Sequence, residues 1–139
     1  LNDFDLPIYG IDFENENGIP KDALRLNELL KSTDGLVISL AEHNGSYSAV
    51  FKNAFDWLSR IDSKVWKNKP MLLMATSPGA RGGIGVLESA KISFPHLGGK
   101  IIADFSLPYF HHSFSKKGLK DLELDQLLNK KIKALQEAL

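Results

Sequence analysis

The chain contains no cysteine. Disulfides, thiolate nucleophiles and cysteine-ligated zinc or iron–sulfur centres are therefore excluded. It also lacks a surplus of either charge: Lys and Arg number 17, Asp and Glu number 17, and the formal net charge is zero. Proteins that track nucleic-acid phosphates carry a basic excess, so no nucleic-acid partner is expected. No apolar run approaches the roughly 18 residues of a membrane span, so no membrane partner is expected either. The opening Leu1-Asn2-Asp3 is neither a start methionine nor a signal peptide; it reads as the start of a fragment, or of a chain whose first residues are missing. The missing cysteine and secretory signal point to a cytoplasmic protein. There is no internal repeat, low-complexity tract or heptad array. The 139 residues, 43% hydrophobic and 24% charged, read as a single domain over 1–139.

Residues 1–20 carry Asp3, Asp5, Asp12, Glu14 and Glu16 and no base, punctuated by Pro7, Gly10, Gly18 and Pro20. That composition predicts a loop with a short extended piece at Phe4–Ile8. Pro20 suits the first turn of a helix through Ser32, with Ala23, Leu26 and Leu30 on one face. Leu36-Val37-Ile38-Ser39-Leu40 is a nearly continuous apolar run, as in a parallel strand buried on both faces. A polar loop, 41–47, follows it. Ser48 to Arg60 then places Val50, Phe51, Ala54, Phe55, Trp57 and Leu58 at helical spacing. That apolar face is wider than one buried side needs, which predicts a subunit contact. The pattern recurs: a strand at 71–76, a Gly-rich loop Ser77-Pro78-Gly79-Ala80-Arg81-Gly82-Gly83, and a helix from Ile84 to Phe94. A third strand spans 100–105. His111–Gly118 reads as a loop. Asp121 caps a last helix with Leu124, Leu127, Leu128, Ile132 and Leu135 inward. Alternating helices and strands predict an α/β fold, a parallel sheet with helices on both faces.

Ligands of open parallel sheets bind beyond the carboxyl ends of the strands, which singles out loops 41–47 and 76–83. In the second, Gly79, Gly82 and Gly83 serve either a tight turn or the close approach of a bound group. Other motifs fail. Gly83-Ile84-Gly85 begins a dinucleotide fingerprint, but Glu88 stands in the place of its third glycine, and no Gly-Lys-Ser/Thr follows. No Gly-x-Ser-x-Gly elbow exists. His96, His111 and His112 have no acidic partners at metal-ligand spacing, and no metal site is expected. The Asn44-Gly45-Ser46 sequon carries little weight without a secretory signal. Lys116, Lys117 and Lys120 read as a solvated face.

One stretch carries more. The strand Asp34-Gly35-Leu36-Val37-Ile38 runs into Glu42-His43-Asn44-Gly45-Ser46-Tyr47-Ser48, and the helix after it reads Phe51-Lys52-Asn53-Ala54-Phe55-Asp56-Trp57-Leu58-Ser59-Arg60. This resembles the NADPH-dependent FMN reductase family, the flavodoxin-like chromate, quinone and azo reductases. Its pattern is Pro-Glu-Tyr-Asn-x-Ser followed by a helix with Lys-Asn-Ala-x-Asp-Trp. The loop 77–83 is similar to that family's second flavin loop, and Asp5-Leu6-Pro7-Ile8-Tyr9 also matches. The sequence departs from the pattern at Ala41, in place of Pro, and at His43, in place of Tyr. The family's opening strand, its Gly-Ser-x-Arg-x-x-Ser phosphate loop and the following helix have no counterpart in these residues. In the resembling fold that strand lies beside Leu36–Leu40, so the resemblance implies that the native protein has it.

The resemblance implies a flavodoxin-like three-layer sandwich with its N-terminal βα unit missing. It implies hydride transfer from NADPH or NADH through FMN to a small-molecule electron acceptor such as a quinone, chromate, an azo compound or a flavin. Ala41, Glu42, His43, Asn44 and Ser46 would line one side of the flavin ring; Glu42 and His43 are otherwise plain exposed loop residues. Ser77, Gly79, Gly82 and Gly83 would approach the other flank, where a Cβ would crowd the ring. Arg81 faces either solvent or an NADPH phosphate. No catalytic side chain is implied, because the cofactor carries the chemistry. A homodimer or homotetramer is expected by the same resemblance. The competing reading is a flavodoxin-like interaction or assembly module with weakened or lost flavin binding. An acidic electron carrier fits poorly with zero net charge.

Overall fold

Three short apolar runs, each followed by a helix, are built as a sheet between helices. A computed structural model describes residues 1–139. In chain order the elements are α1 (Ile11–Asn17), α2 (Lys21–Ser32), β1 (Leu36–His43), β2 (Ser46–Tyr47), α3 (Ala49–Ile61), β3 (Pro70–Thr76) and α4 (Ile84–Ser93). A 3-10 turn (Phe94–Leu97) leads to β4 (Lys100–Leu107). Then come α5 (Phe110–Ser113), β5 (Phe114–Ser115), β6 (Gly118–Leu119) and α6 (Leu122–Glu137). The main sheet has the order β2-β1-β3-β4. β1 runs parallel to β3, with Leu36 opposite Met71 and Ala41 opposite Thr76. β3 runs parallel to β4, with one register shift between Met71 and Leu72. The predicted parallel neighbours are thus the observed ones.

Strand alternation divides the core. Leu36, Leu40, Met71, Leu73 and Ala75 point to one face, where they pack with Leu26, Phe55, Leu58, Val65, Trp66, Val86, Leu87 and Phe94 from the helical side. The opposite face is covered by α6, which contacts β3 and β4. Leu135 is buried there, and Leu124 and Leu128 are half-buried. The expected inward set on α6 is only partly right: Leu127 and Ile132 are 43% and 38% exposed. α6 covers β3 and β4, and no helix lies beside it over β1. Asp121 does cap this helix, its Oδ1 accepting from the backbone N–H groups of Glu123 at 2.8 Å and Leu124 at 3.1 Å.

Two other expectations are corrected, and the packing of a third element accounts for a feature of the sequence. Residues 1–20 contain a helix, α1, bounded by Gly10 and by Gly18 at φ 74°. It buries none of its residues, so hydrophobic periodicity carries no sign of it. Residues 111–118 contain part of α5 and the hairpin β5–β6. The width of the apolar face on α3 is consumed within the chain: Ala54, Phe55 and Leu58 enter the core with Phe51 against them, while Trp57 is buried beneath residues 7–13. Only Val50 is left well exposed, at 64%, so the face gives no support to a second subunit.

The α3 signature explains that second contact. Asn53 and Trp57 lie one turn apart, so they share a face of the helix. Asn53 Oδ1 accepts the Tyr9 N–H at 2.8 Å, and its Nδ2 donates to the carbonyls of Leu6 at 3.1 Å and Pro7 at 3.0 Å. Trp57 Nε1 donates to the Pro7 carbonyl at 2.7 Å, and the Tyr9 ring meets the indole edge-on with centroids 5.0 Å apart. These bonds satisfy an extended strap that has no sheet partner of its own.

Candidate functional site

The carboxyl ends of β1 and β3 are neighbours, because Ala41 stands opposite Thr76. The segments leaving these two strands therefore meet at one end of the sheet. After β1 the chain does not form the loop expected over 41–47. β1 continues to His43, turns at Asn44 and Gly45, and returns as β2, pairing Glu42 with Tyr47 and His43 with Ser46. Asn44 and Gly45 have φ of 51° and 75°, the two left-handed residues of a type I′ turn, for which Asn-Gly is the preferred pair. That dipeptide is the sequence signal for the hairpin.

The hairpin separates the candidate residues by direction. Ala41, His43, Asn44 and Ser46 are exposed, whereas Glu42 is half-buried. Glu42 Oε2 accepts the Val86 N–H at 2.8 Å, and Val86 is the third residue of α4. The first turn of a helix leaves N–H groups without intrahelical partners and carries positive partial charge. The residue before α4 is Gly83, which has no side chain to cap it. Glu42 supplies the missing acceptor from a different element and so ties the hairpin to the loop after β3. It is half-buried and hydrogen-bonded, not a plain exposed loop residue.

The second loop splits likewise. Gly82 and Gly83 are buried, with φ of 56° and 76°. A Cβ on Gly82 would strike Ser106 Oγ and come within 2.8 Å of the Pro108 nitrogen. One on Gly83 would lie 2.9 Å from the Ala75 Cβ. These glycines let the loop lie against the ends of β3 and β4, so a Cβ at either position crowds the chain itself. Gly79 differs: it is exposed, and nothing lies within 4 Å of where its Cβ would be. Pro78, Ala80 and Arg81 are exposed and Ser77 is half-exposed. The backbone N–H groups of Gly79, Ala80 and Arg81 take no backbone acceptor in the chain.

The loop is held from below by residues that carry no motif in the sequence. Tyr109 N–H donates to the Gly79 carbonyl at 3.0 Å, and Phe110 N–H donates to the Ser77 carbonyl at 3.0 Å. Ser106 Oγ donates to the Gly82 carbonyl at 2.9 Å, and Thr76 Oγ1 donates to the Leu107 carbonyl at 2.7 Å. Tyr109 itself is exposed and left-handed, at φ 51°. Its only sequence signal is its position, immediately beyond the carboxyl end of β4, where ligand-facing residues of such sheets gather.

The result is an open shelf. The exposed hairpin tip flanks one side and the free N–H groups of residues 79–81 flank the other, with no acid–base pair or nucleophile between them. Such a shelf suits the polar edge of a planar heteroaromatic group, whose acceptors the N–H groups can meet. It offers no equal seat for a phosphate. The helix N-terminus at this end already holds Glu42, and Arg81 is the cation of the 77–83 loop.

Comparison with known proteins bears on which group this is. The family model described as NADPH-dependent FMN reductase matches residues 1–112. A quinone reductase of Escherichia coli (strain K12) is 39% identical over 79 residues, covering 57% of this chain and 42% of that protein. An NADPH azoreductase of Bacillus sp. (strain OY1-2) is 36% identical over 69 residues, covering 50% of this chain and 37% of that protein. The chain thus matches less than half the length of these curated relatives. Among solved structures, the flavoenzyme NAD(P)H:(acceptor) oxidoreductase FerB of Paracoccus denitrificans superposes with a TM-score of 0.72 at 25% identity. That match covers 96% of this chain and 77% of that one.

Proposed function

Because the chain belongs to the NADPH-dependent FMN reductase family, and its fold is accordingly flavodoxin-like, we propose that it is the flavin-ring-binding part of an oxidoreductase. In this reading electrons pass from NADPH or NADH to a small acceptor of the quinone or azo type. FMN, when bound, supplies the hydride acceptance and delivery, so no side chain here has to act as nucleophile or base. The observation that carries the reading is the shelf: two adjacent parallel strand ends present an exposed hairpin tip and three free backbone N–H groups on one side of a chain from this family. Ala41, His43, Asn44 and Ser46 flank the ring on the hairpin side. Ser77 and Gly79 flank it on the other, with the N–H groups of residues 79–81 as donors to its polar edge. Glu42, Gly82 and Gly83 act through the shape of the shelf rather than by touching the ring. An open shelf also leaves room for two substrates to take turns, which transfer from one small molecule to another requires.

Titration of FMN with flavin fluorescence as readout tests this directly. Saturable quenching that Gly79→Val weakens several-fold, without a change in thermal unfolding, is the expected result. A colourless protein that leaves FMN fluorescence untouched sinks the reading and favours an interaction or assembly module of the same fold. That second reading has one observation behind it, since the α4 N-terminus, the natural anion seat at this end, is filled by Glu42.

A further inference from the structure

Two asparagines of the chain are followed by glycine, Asn17 and Asn44. That dipeptide has a reaction of its own. The backbone nitrogen after an asparagine attacks the side-chain amide carbon, and glycine, which has no Cβ, lets the two atoms approach most freely. At the other six asparagines the next residue carries a side chain. The fold treats the two Asn-Gly pairs oppositely, and so decides which of them reacts.

Asn17 is tied down. It is the last residue of α1, and its Nδ2 donates to the Phe13 carbonyl at 3.1 Å. The Gly18 N–H, whose nitrogen would attack, donates to the Glu14 carbonyl at 2.8 Å. α1 is anchored in turn. Glu14 is held by Arg60 and by the Tyr9 hydroxyl, and the Phe13 ring lies 6.0 Å from Trp57.

Asn44 is free. It is exposed, and its side chain makes no hydrogen bond within the chain. The Gly45 N–H has no backbone acceptor, and nothing lies within 4 Å of where a Gly45 Cβ would stand. At φ 51° Asn44 must first leave the left-handed turn for the two atoms to meet. Little resists that movement. β2 is two residues long and held by two residue pairs, and a strand that short at a sheet edge opens readily.

We propose that Asn44-Gly45 is a site of spontaneous, backbone-assisted deamidation, and that Asn17-Gly18 is protected from it by α1. The Gly45 nitrogen bonds to Cγ of Asn44, and its proton leaves with the side-chain nitrogen as ammonia. A five-membered succinimide remains. Water opens that ring at one of its two carbonyls and leaves aspartate or isoaspartate at position 44. No oxidant or reductant takes part. Either product puts a carboxylate where the hairpin tip had a neutral amide. Isoaspartate also lengthens the backbone of a two-residue turn by one atom, which no longer matches the pairing of His43 with Ser46. The reaction therefore alters charge and shape at the rim of the shelf as the molecule ages, whatever the shelf binds.

Tryptic mapping of the native protein during incubation at 37 °C tests this. Cleavage places Asn17 in peptide 1–21 and Asn44 in peptide 32–52. Deamidation raises the mass of a peptide by about 1 Da, and fragment ions locate the residue that changed. Each rate is taken relative to that of the same peptide in the urea-unfolded chain. The expected relative rate at Asn44 exceeds that at Asn17 by at least about tenfold, because only Asn17 must first break helical hydrogen bonds. Asn44→Gln should abolish the mass gain in peptide 32–52. Equal relative rates at the two sites, a faster one at Asn17, or a mass gain that persists in Asn44→Gln overturns the proposal. None of these readouts involves flavin, so they stand or fall apart from the reading of the shelf.

Discussion

Glu42 and the glycines of residues 79–83 separate shape from contact at the level of single residues. Glu42→Ala leaves the Val86 N–H without its charge-assisted acceptor, a loss of roughly 1–2 kcal/mol. For a domain of this size the expected outcome is a Tm lowered by about 3–8 °C. Differential scanning calorimetry measures this, and Glu42→Gln, which keeps an acceptor at that position, should recover part of the loss. Gly82→Val meets Ser106 and Pro108 from a backbone held at φ 56°, so it should lower the Tm whatever its effect on flavin. Gly79→Val points into open space and should leave the Tm unchanged. If Gly82→Val unfolds at the wild-type temperature, the loop does not lie against the ends of β3 and β4.

At the scale of elements, the strap of residues 6–9 depends on α3. Asn53→Ala removes the acceptor of Tyr9 N–H and the donor to Leu6 and Pro7 at once, a cost of about 2–3 kcal/mol if those backbone groups stay partly buried. Limited proteolysis should then cut within residues 1–18 far faster than in the parent. The same region responds to acid. Arg60 Nε lies 2.9 Å from Glu14 Oε2, and this hydrogen bond holds the Glu14 carboxyl below its ordinary 4.5. A lowered carboxylate pKa stabilises the fold above the ordinary value, and that contribution is lost as pH falls through the lowered one. Arg60→Gln should therefore narrow the stability difference between pH 6 and pH 3, as followed by urea unfolding; an unchanged acid limb would show that the pair contributes nothing.

For the whole molecule, the division of the site between ring and phosphate has a measurable consequence. The N–H groups of residues 79–81 can serve the ring, but Glu42 occupies the helix N-terminus that would otherwise draw the phosphate. Each charge-assisted bond to a phosphate is worth roughly 1.5–3 kcal/mol, and about 1.4 kcal/mol is tenfold in affinity. The 139-residue chain should thus bind riboflavin and FMN within a few-fold of each other. Isothermal titration with both ligands decides it: an FMN preference of a hundredfold would locate a phosphate seat within these residues.

The sequence by itself determined the three apolar strands, their parallel neighbours and the helices between them. Burial on both faces leaves continuous runs such as Met71–Ala75, and burial on one face leaves a periodic stripe such as Leu26–Leu30. It also marked the strand ends where the two site loops meet, because topology alone puts them there. Tertiary structure decided what periodicity does not encode. α1 buries no residue and rests on Gly10, Gly18 and the Arg60 pair, so it left no stripe to read. The broad face of α3 has the look of a subunit contact in the sequence, and only the strap of residues 6–9, which covers Trp57, accounts for its width. Asn44-Gly45 closes a hairpin only because Ser46 and Tyr47 find partners in Glu42 and His43. The roles of Glu42 and Gly82 depend on atoms of Val86 and Pro108, each more than twenty residues away. Contacts at that separation are made by packing, and no local pattern in the chain announces them.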